Sequence, residues 1–166
     1  NEETLQYILE KGKNTGIHVE TCCSVSKEFK GQELCDYEAL LKKGAVGFTD
    51  DGIPLLDENL VTEAMTQLAK LQVPISLHEE DPNLISNNGV NRGKASEHFG
   101  IGGSPREAEV TMVARDLEIA KKTGAIVNIQ HISCKETADM IRKAKQEGFA
   151  NIHGEATPHH FTLTED

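Results

Sequence analysis

Long apolar stretches are absent from this sequence of 166 residues. A helix that spans a bilayer needs about 20 predominantly apolar residues in succession, and the longest apolar stretches, such as the one around residues 125–127, are far shorter. No basic segment followed by an apolar one opens the chain, so a secretory signal is not indicated. We therefore expect no membrane partner.

Clusters of basic residues are also absent. Lys and Arg number 17 against 27 Asp and Glu, which gives a formal net charge of −10. Because a protein that binds nucleic acid needs grouped Lys and Arg side chains to neutralise phosphates, nucleic acid is not expected as a partner. A solvated acidic surface accounts for the charge.

The four cysteines do not include a CxxC pair. They are Cys22, Cys23, Cys35 and Cys134, and the adjacent Cys22 and Cys23 are badly placed to bridge each other. Neither a thiolate zinc site nor a disulfide framework is indicated. Reduced thiols are the rule in the cytoplasm, which is the location that we expect.

The sequence does contain an alternation of short β-rich runs with amphipathic helices. One helix has its apolar residues at helical spacing on a single face, which needs a sheet to cover it; these residues are Val61, Ala64, Met65, Leu68 and Leu71. The predicted strands are residues 17–23, 45–50, 73–78, 125–131 and 150–156. The predicted helices are residues 3–12, 33–43, about 61–71, 104–124 and 135–148.

The best-marked helix follows a long loop rich in Gly and Asn. Ser104 is predicted to cap it, Pro105 suits its first position, and Glu107 completes a capping box. Gly124 is typical of a C-terminal end. The preceding loop, from Gly89 to Gly103, contains five glycines, and loops of this length on an α/β scaffold are usually functional or disordered. We predict that it is mobile and lies over the functional site.

Strands that alternate with helices form parallel β/α units, because a parallel pair needs a crossover connection. Two architectures fit: a doubly wound sheet, and part of a (β/α)₈ barrel. A complete barrel takes about 250 residues, so this chain supplies about five of its eight units. No GxGxxG or GxxxxGK[ST] motif follows a strand, which disfavours the nucleotide-binding doubly wound fold. Both chain ends resemble cut elements, so we expect residues 1–166 to be a partial barrel domain.

Reactive groups in parallel α/β folds collect at the C-terminal ends of strands. Three consecutive units carry Asp51, His78 and His131 at those ends. One carboxylate and two imidazoles on one face suit zinc or a similar metal, with a position left open for water. Each residue alone has an ordinary structural explanation, but their corresponding places in three successive units favour a metal site.

Other polar residues near these strand ends are less informative. Glu79, Glu80 and Asp81 are interpreted as a solvated loop. His159 and His160 follow the fifth predicted strand on the functional face. They either support the metal ligands from outside the coordination shell or serve the structure alone.

The residues at these strand ends resemble the dihydroorotases, in particular the class in which an aspartate bridges two metal ions. The motifs that carry the resemblance, in this order, are Gly47-Phe48-Thr49-Asp50-Asp51-Gly52, Leu77-His78-Glu79-Glu80-Asp81, Gln130-His131-Ile132-Ser133 and Glu155-Ala156-Thr157-Pro158-His159-His160. The resemblance implies an amidohydrolase (β/α)₈ barrel of which this chain supplies about strands three to seven. Asp51, rather than Asp50, matches the bridging carboxylate, and His78 and His131 match the metal-binding histidines of strands five and six.

The resemblance also implies an activity: hydrolysis of the ring amide of dihydroorotate and, in reverse, closure of carbamoyl aspartate in pyrimidine biosynthesis. Two zinc ions are expected as cofactors, because they polarise the ring carbonyl and lower the pKa of water. The partner is then a small-molecule substrate. A homodimer, or association with other subunits of the pyrimidine pathway, stays open.

Parts of the family's machinery have no match in these residues. The His-x-His pair of the first strand, the Arg after it that binds the substrate carboxylate, and the strand-eight Asp that acts as general acid and base are all missing, so we expect the segment alone to be inactive. Three alternatives remain open. The first is an allantoinase or hydantoinase, although these relatives generally carry a lysine where Asp51 stands. The others are a catalytically inactive dihydroorotase-like scaffold subunit and a doubly wound binding module without metal.

Overall fold

Four short parallel strands form the centre of the structure, a computed structural model that describes residues 1–87 and 89–163. The order of strands in the sheet follows the chain, and each strand pairs in parallel with the next. The strands are β1 Phe48–Thr49, β2 Ile75–Leu77, β3 Val127–Ile129 and β4 Ile152–Gly154. This sequential order, with helices between successive strands, is that of part of a (β/α)₈ barrel; a doubly wound sheet reverses its order at a switch point.

The described residues form seven α-helices and two short 3₁₀ turns, at Lys27–Phe29 and Pro82–Leu84. None of these helices is long and apolar enough to span a membrane. The α-helices are α1 Glu2–Gly12, α2 Tyr37–Lys42, α3 Glu58–Leu71, α4 Lys94–Phe99, α5 Glu107–Thr123, α6 Lys135–Gln146 and α7 Pro158–Thr162.

The sheet has one apolar face and one polar face. The four residues that pack against the helices are in register and fully buried, and they are Phe48, Ile75, Val127 and Ile152. Burial of a side chain of this size contributes about 1.5–3 kcal/mol. The next register layer points to the other face and is polar, formed by Thr49, Ser76, Asn128 and His153. The helices therefore cover one face of the sheet. The other face is polar, and the site described below lies at the C-terminal ends of its strands.

At two of the longer helices, residues typical of helix ends stand where the helix begins or ends. The Asp57 carboxylate accepts hydrogen bonds from the backbone N–H groups of Asn59 and Leu60, which caps α3. The predicted apolar face of α3 is buried from Val61 to Leu68. Gly124 ends α5 with a φ of 73°, in the left-handed region that favours glycine.

The predicted strand at residues 17–23 is wrong. Only the end of this run reaches the sheet: Cys23 forms a single parallel bridge to Phe48, and the carbonyl of Thr21 accepts the N–H of Val46 at 3.2 Å. Ile17, the first apolar residue of that run, is 73% exposed. No burial there offsets the entropy that an ordered strand loses.

The predicted start of the second helix, at residue 33, is also wrong. Leu34 forms an antiparallel bridge with Ser26, and the N–H of Cys35 donates to the carbonyl of Val25 at 3.0 Å. The helix begins only at Tyr37, where the Asp36 side chain caps it. Pairing with residues 25–26 keeps residues 34–35 extended, so the helix cannot start at residue 33.

The predicted capping box at Ser104 and Glu107 does not form. Ser104 pairs instead with Asn91, and its carbonyl accepts the N–H of Arg92 at 2.9 Å. Helix α5 therefore begins at Glu107 with no side-chain cap. The loop from Gly89 to Gly103 contains α4 and borders the cavity described below; its mobility stays a prediction, which amide hydrogen exchange tests.

Candidate metal centre

A tight turn after β1 presents Asp51. The N–H of Ile53 donates to the carbonyl of Asp50 at 3.0 Å, so Asp51 and Gly52 occupy the centre of a β-turn. Gly52 has a φ of 78°, which a residue with a side chain adopts only at a cost. The turn leaves the Asp51 side chain 59% exposed.

Asp50, the residue before Asp51, anchors this turn to residues 25–26. Its carboxylate is buried and accepts hydrogen bonds from the N–H of Val25 at 2.8 Å, the N–H of Ser26 at 3.0 Å, and the Ser26 hydroxyl group. Burial raises the pKa of Asp50, and the hydrogen bonds from Ser26 and Val25 oppose that rise. With its oxygens engaged by residues 25–26, Asp50 serves the fold and Asp51 is left to face the site.

The side chains of Asp51, His78 and His131 converge at the C-terminal ends of β1, β2 and β3. Nδ1 of His78 lies 2.9 Å from Nε2 of His131. Oδ1 of Asp51 lies 3.6 Å from the first of these nitrogens and 3.7 Å from the second. The structure thus brings together the three residues that the sequence singled out, with one ligand atom from each within 4.8 Å of the others.

The donor set fits a metal such as zinc. Ligand atoms of a tetrahedral zinc ion with bonds of about 2.0–2.1 Å lie about 3.3 Å apart, and the three observed separations fall on either side of that value. Two imidazole nitrogens and one carboxylate oxygen are also the donors that zinc prefers. The two nitrogens are close enough for one ring N–H to donate a hydrogen bond to the other nitrogen. A bound metal would take the place of that shared hydrogen.

The residues after His78, interpreted from the sequence as a solvated loop, include one that contacts a candidate ligand. Nε2 of His78 lies 3.4 Å from Oε2 of Glu80, so Glu80 stands beside a candidate ligand rather than only in solvent. A carboxylate at the second ring nitrogen fixes the orientation of a metal-binding histidine. His131 has a φ of 34°, in the left-handed region that few residues other than glycine adopt.

Glu79 contradicts the solvated interpretation outright, because it is buried. Burial and the neighbouring Asp116 of α5 raise the pKa of Glu79 well above its usual range. Asp116, also buried, is paired with Arg115 through N–O distances of 2.6 and 2.9 Å. Arg115 also donates to the carbonyls of Leu55 and Leu56, at 2.7 and 3.1 Å. This network joins α5 to the segment between β1 and α3, directly beside the loop that carries His78.

A cavity of about 1140 Å³ opens over His78 and His131. His159 and His160 of α7 line the same cavity, as does Thr157, whose hydroxyl lies 3.0 Å from the ring nitrogens of His159. Burial and the nearby His159 lower the pKa of His160, and Nδ1 of His160 is buried without a hydrogen-bond partner in the described part of the chain. Both histidines are therefore beside the site, and their supporting role stays a proposal.

Comparison with known proteins decides the family. A family model described as dihydro-orotase-like matches residues 2–137. The chain belongs to the dihydroorotase-like family. Curated dihydroorotases of Clostridioides difficile (strain 630) and Clostridium acetobutylicum are 53% and 48% identical to it, each over the whole chain. The chain spans 39% of the length of each of these relatives.

Solved structures agree on the fold of this dihydroorotase-like chain. The L-hydantoinase of Arthrobacter aurescens superposes with a TM-score of 0.69 at 20% identity, over 96% of this chain and 38% of that one. A D-hydantoinase of Thermus sp. gives a TM-score of 0.62 at 22% identity, over 87% of this chain and 32% of that one. The expected fold is confirmed: the dihydroorotase-like chain has the fold of part of a (β/α)₈ barrel, as in these hydantoinases.

Sequence reasoning missed the residues of α5 that lie near the site. These are Glu109, Arg115 and Asp116, of which Asp116 is buried and Glu109 lines the cavity. One signal was available for Glu109, because the first turn of the helix after a barrel strand starts near the C-terminal ends of the strands. Arg115 and Asp116 read as an ordinary charged pair within a helix.

Proposed function

We propose that this chain carries part of the metal centre of a dihydroorotase, which hydrolyses the ring amide of dihydroorotate and, in reverse, closes carbamoyl aspartate. The observation that carries the proposal is the convergence of Asp51, His78 and His131 in a chain of this family. The proposal includes two zinc ions and a cytoplasmic location.

Each of these residues has a distinct part in the proposal. Asp51 holds metal through Oδ1, His78 through Nδ1 and His131 through Nε2, the atoms that face one another. Zinc bound there supplies the positive charge that polarises the ring carbonyl and lowers the pKa of water. Glu80, beside Nε2 of His78, keeps that ring turned with Nδ1 towards the site.

The cavity beside these ligands supports a small cyclic substrate. Its volume of about 1140 Å³ holds a ring of this size with room for further residues. The groups that bind the substrate carboxylate and move the proton belong, in the dihydroorotase resemblance, to parts of the barrel outside these 166 residues. The proposed reaction therefore needs this chain within a complete barrel.

A hydantoinase is the second candidate, because hydantoinases are among the solved structures that resemble this chain in fold. At identities of 20% and 22%, the likeness to these structures supports the fold and not the activity. The carboxylate at position 51, where hydantoinases generally present a lysine, favours dihydroorotase.

A chimera tests the proposal. In it, this chain replaces the matching residues of the Clostridioides difficile dihydroorotase, to which it is 53% identical. We expect zinc-dependent ring opening of dihydroorotate with a kcat/KM within about tenfold of the parent, equivalent to about 1.4 kcal/mol, and no comparable turnover of hydantoin.

The control is Asp139→Asn, an exposed position on α6 outside the cavity, which should leave turnover unchanged. A folded, zinc-loaded chimera that is inactive on dihydroorotate contradicts the proposal. Preference for hydantoin over dihydroorotate replaces it with the second candidate.

A further inference from the structure

The first turn of α5 contacts both loops that carry the candidate histidine ligands. The carbonyl of Ala108 accepts the N–H of Asp81 at 2.9 Å, three residues after His78. The next residue of the same turn, Glu109, reaches the segment two residues after His131. One helical turn therefore spans the distance between the two loops.

Both oxygens of the Glu109 carboxylate are engaged by that second loop. Oε2 accepts the N–H of Ser133 at 3.0 Å and its hydroxyl at 2.6 Å. Oε1 accepts the N–H of Cys134 at 3.1 Å. Helix α6 begins at the following residue, and Cys134 gives it no side-chain cap. Glu109 thus accepts, from another helix, the N–H of the N-cap residue of α6 and places a negative charge beside the start of that helix.

The loop that Glu109 holds is strained at the ligand itself. His131 has a φ of 34°, and such conformations persist only where the surroundings fix them. Two sets of hydrogen bonds follow it in the chain. The N–H of Ile132 donates to the carbonyl of Glu155 at 2.8 Å, and the next two N–H groups donate to Glu109.

We propose that Glu109 is a positioning residue for the metal centre. Its carboxylate fixes the segment after His131, and this keeps Nε2 of His131 beside Nδ1 of His78. Glu109 acts through His131 and not on the substrate. The inference rests on the proposed function only in taking His131 as a metal ligand.

The test compares two carboxylates that each accept two N–H groups at the start of a helix, in the chimera defined above. Glu109→Ala removes the acceptor before α6, beside the site. Asp57→Ala removes the cap of α3, which lies outside the cavity. Thermal unfolding, zinc affinity by chelator competition, and kcat and KM are measured for both variants.

We expect both variants to lower the Tm to a similar degree, because each loses a carboxylate that accepts two backbone N–H groups at the start of a helix. Only Glu109→Ala should weaken zinc binding, by about 10- to 100-fold, and lower kcat with little change in KM. Glu109→Gln keeps one acceptor oxygen for Ser133 and loses the acceptor for Cys134, so its zinc affinity should lie between those of the parent and the Ala variant.

Zinc affinity of Glu109→Ala equal to that of Asp57→Ala would overturn the inference, since Glu109 would then serve stability alone. If Glu109→Ala does not fold, Glu109→Gln and Ser133→Ala carry the same comparison, and unchanged zinc affinity in both overturns it equally. Failure of the parent chimera on dihydroorotate concerns the proposed function, whereas the zinc titration reports on positioning whatever the substrate.

Discussion

Asp50 and Asp51 are consecutive in the chain, but their carboxylates lie in opposite environments. Asp50 is 3% exposed and accepts hydrogen bonds from the backbone of residues 25 and 26. Asp51 is 59% exposed on its side chain and lies within 3.7 Å of both candidate histidine ligands. One acid stabilises the turn and the other faces the candidate metal site.

Substitution of each acid should therefore have a different result. In the chimera, Asp51→Asn should abolish turnover and weaken zinc binding while leaving the unfolding of the metal-free protein nearly unchanged. Asp50→Asn places an amide N–H₂ against donors of Val25 or Ser26, so it should cost about 1–3 kcal/mol of stability. Urea unfolding with chelator and zinc titration give the two quantities. Loss of zinc binding in a stable Asp50→Asn variant would reassign the ligand to Asp50.

The buried pair of Arg115 and Asp116 should matter more to stability than an exposed pair of the same charge. Arg115→Met leaves the Asp116 carboxylate, 1% exposed, without its cation, and breaking a buried pair in this way costs about 3–5 kcal/mol. The matched control is Arg142→Met, which breaks the exposed pair with Asp139 on α6 and should cost less than about 1 kcal/mol. Equal costs in urea unfolding would contradict the burial argument.

The thiol of Cys134 should be unreactive near neutral pH. Burial, followed by the charge of Glu109, raises the pKa of Cys134 to about 11. Because the thiolate is the reactive form, only about one thiol in a thousand is reactive at pH 8, and alkylation should accelerate as the pH rises towards 11. Peptide-resolved mass spectrometry after iodoacetamide treatment measures this rate.

Removal of the Glu109 charge should shift that profile. Glu109→Gln should move the midpoint of Cys134 alkylation to lower pH, since a neighbouring negative charge no longer opposes the thiolate. Glu97→Gln, which removes another acid that lines the cavity, is the control and should leave the midpoint in place. A midpoint near pH 9 in the unsubstituted protein would show that the Cys134 environment has been misjudged.

The 166 residues expressed alone should not hydrolyse dihydroorotate. β4 forms one open edge of the described sheet, and beyond β1 only the residues around Cys23 pair with the other edge. Open sheet edges favour aggregation or pairing with another chain. The three ligands can still hold zinc weakly, but the strand-eight Asp of the family, which moves the proton, is not among these residues. Ring opening is followed with added zinc beside the chimera. Turnover by the isolated segment at a rate near that of the chimera would mean that the catalytic groups have been misplaced.

The parts of the fold that could be predicted are those with a local cause. The apolar face of α3, from Val61 to Leu68, and the stop at Gly124 depend on helical spacing and on one backbone conformation. The helix start at residue 33 and the cap at Ser104 failed because pairing partners elsewhere in the chain decided them. Local patterns do not record such partners.

The site, like the fold, contains residues that the sequence predicts and residues that it does not. Asp51, His78 and His131 could be found because the ends of parallel strands meet on one face, so position along the chain predicts position in space. The burial of Glu79 and the hydrogen bonds of Glu109 could not, because both depend on contacts with residues more than 20 positions away. In a sequence with 27 Asp and Glu residues, nothing local shows which carboxylates are buried or hydrogen-bonded and which are only solvated.

The backbone of His131 carries a further consequence for how this protein changes under selection. A left-handed residue that has a Cβ atom costs about 1–2 kcal/mol relative to glycine at the same position, so His131→Gly should relieve strain while removing a candidate ligand. Mutations that improve folding are often costly where activity needs a strained site. A screen of variants for thermal resistance alone would therefore enrich glycine or asparagine at position 131, and a pool selected in that way would gain robustness while it lost catalysis.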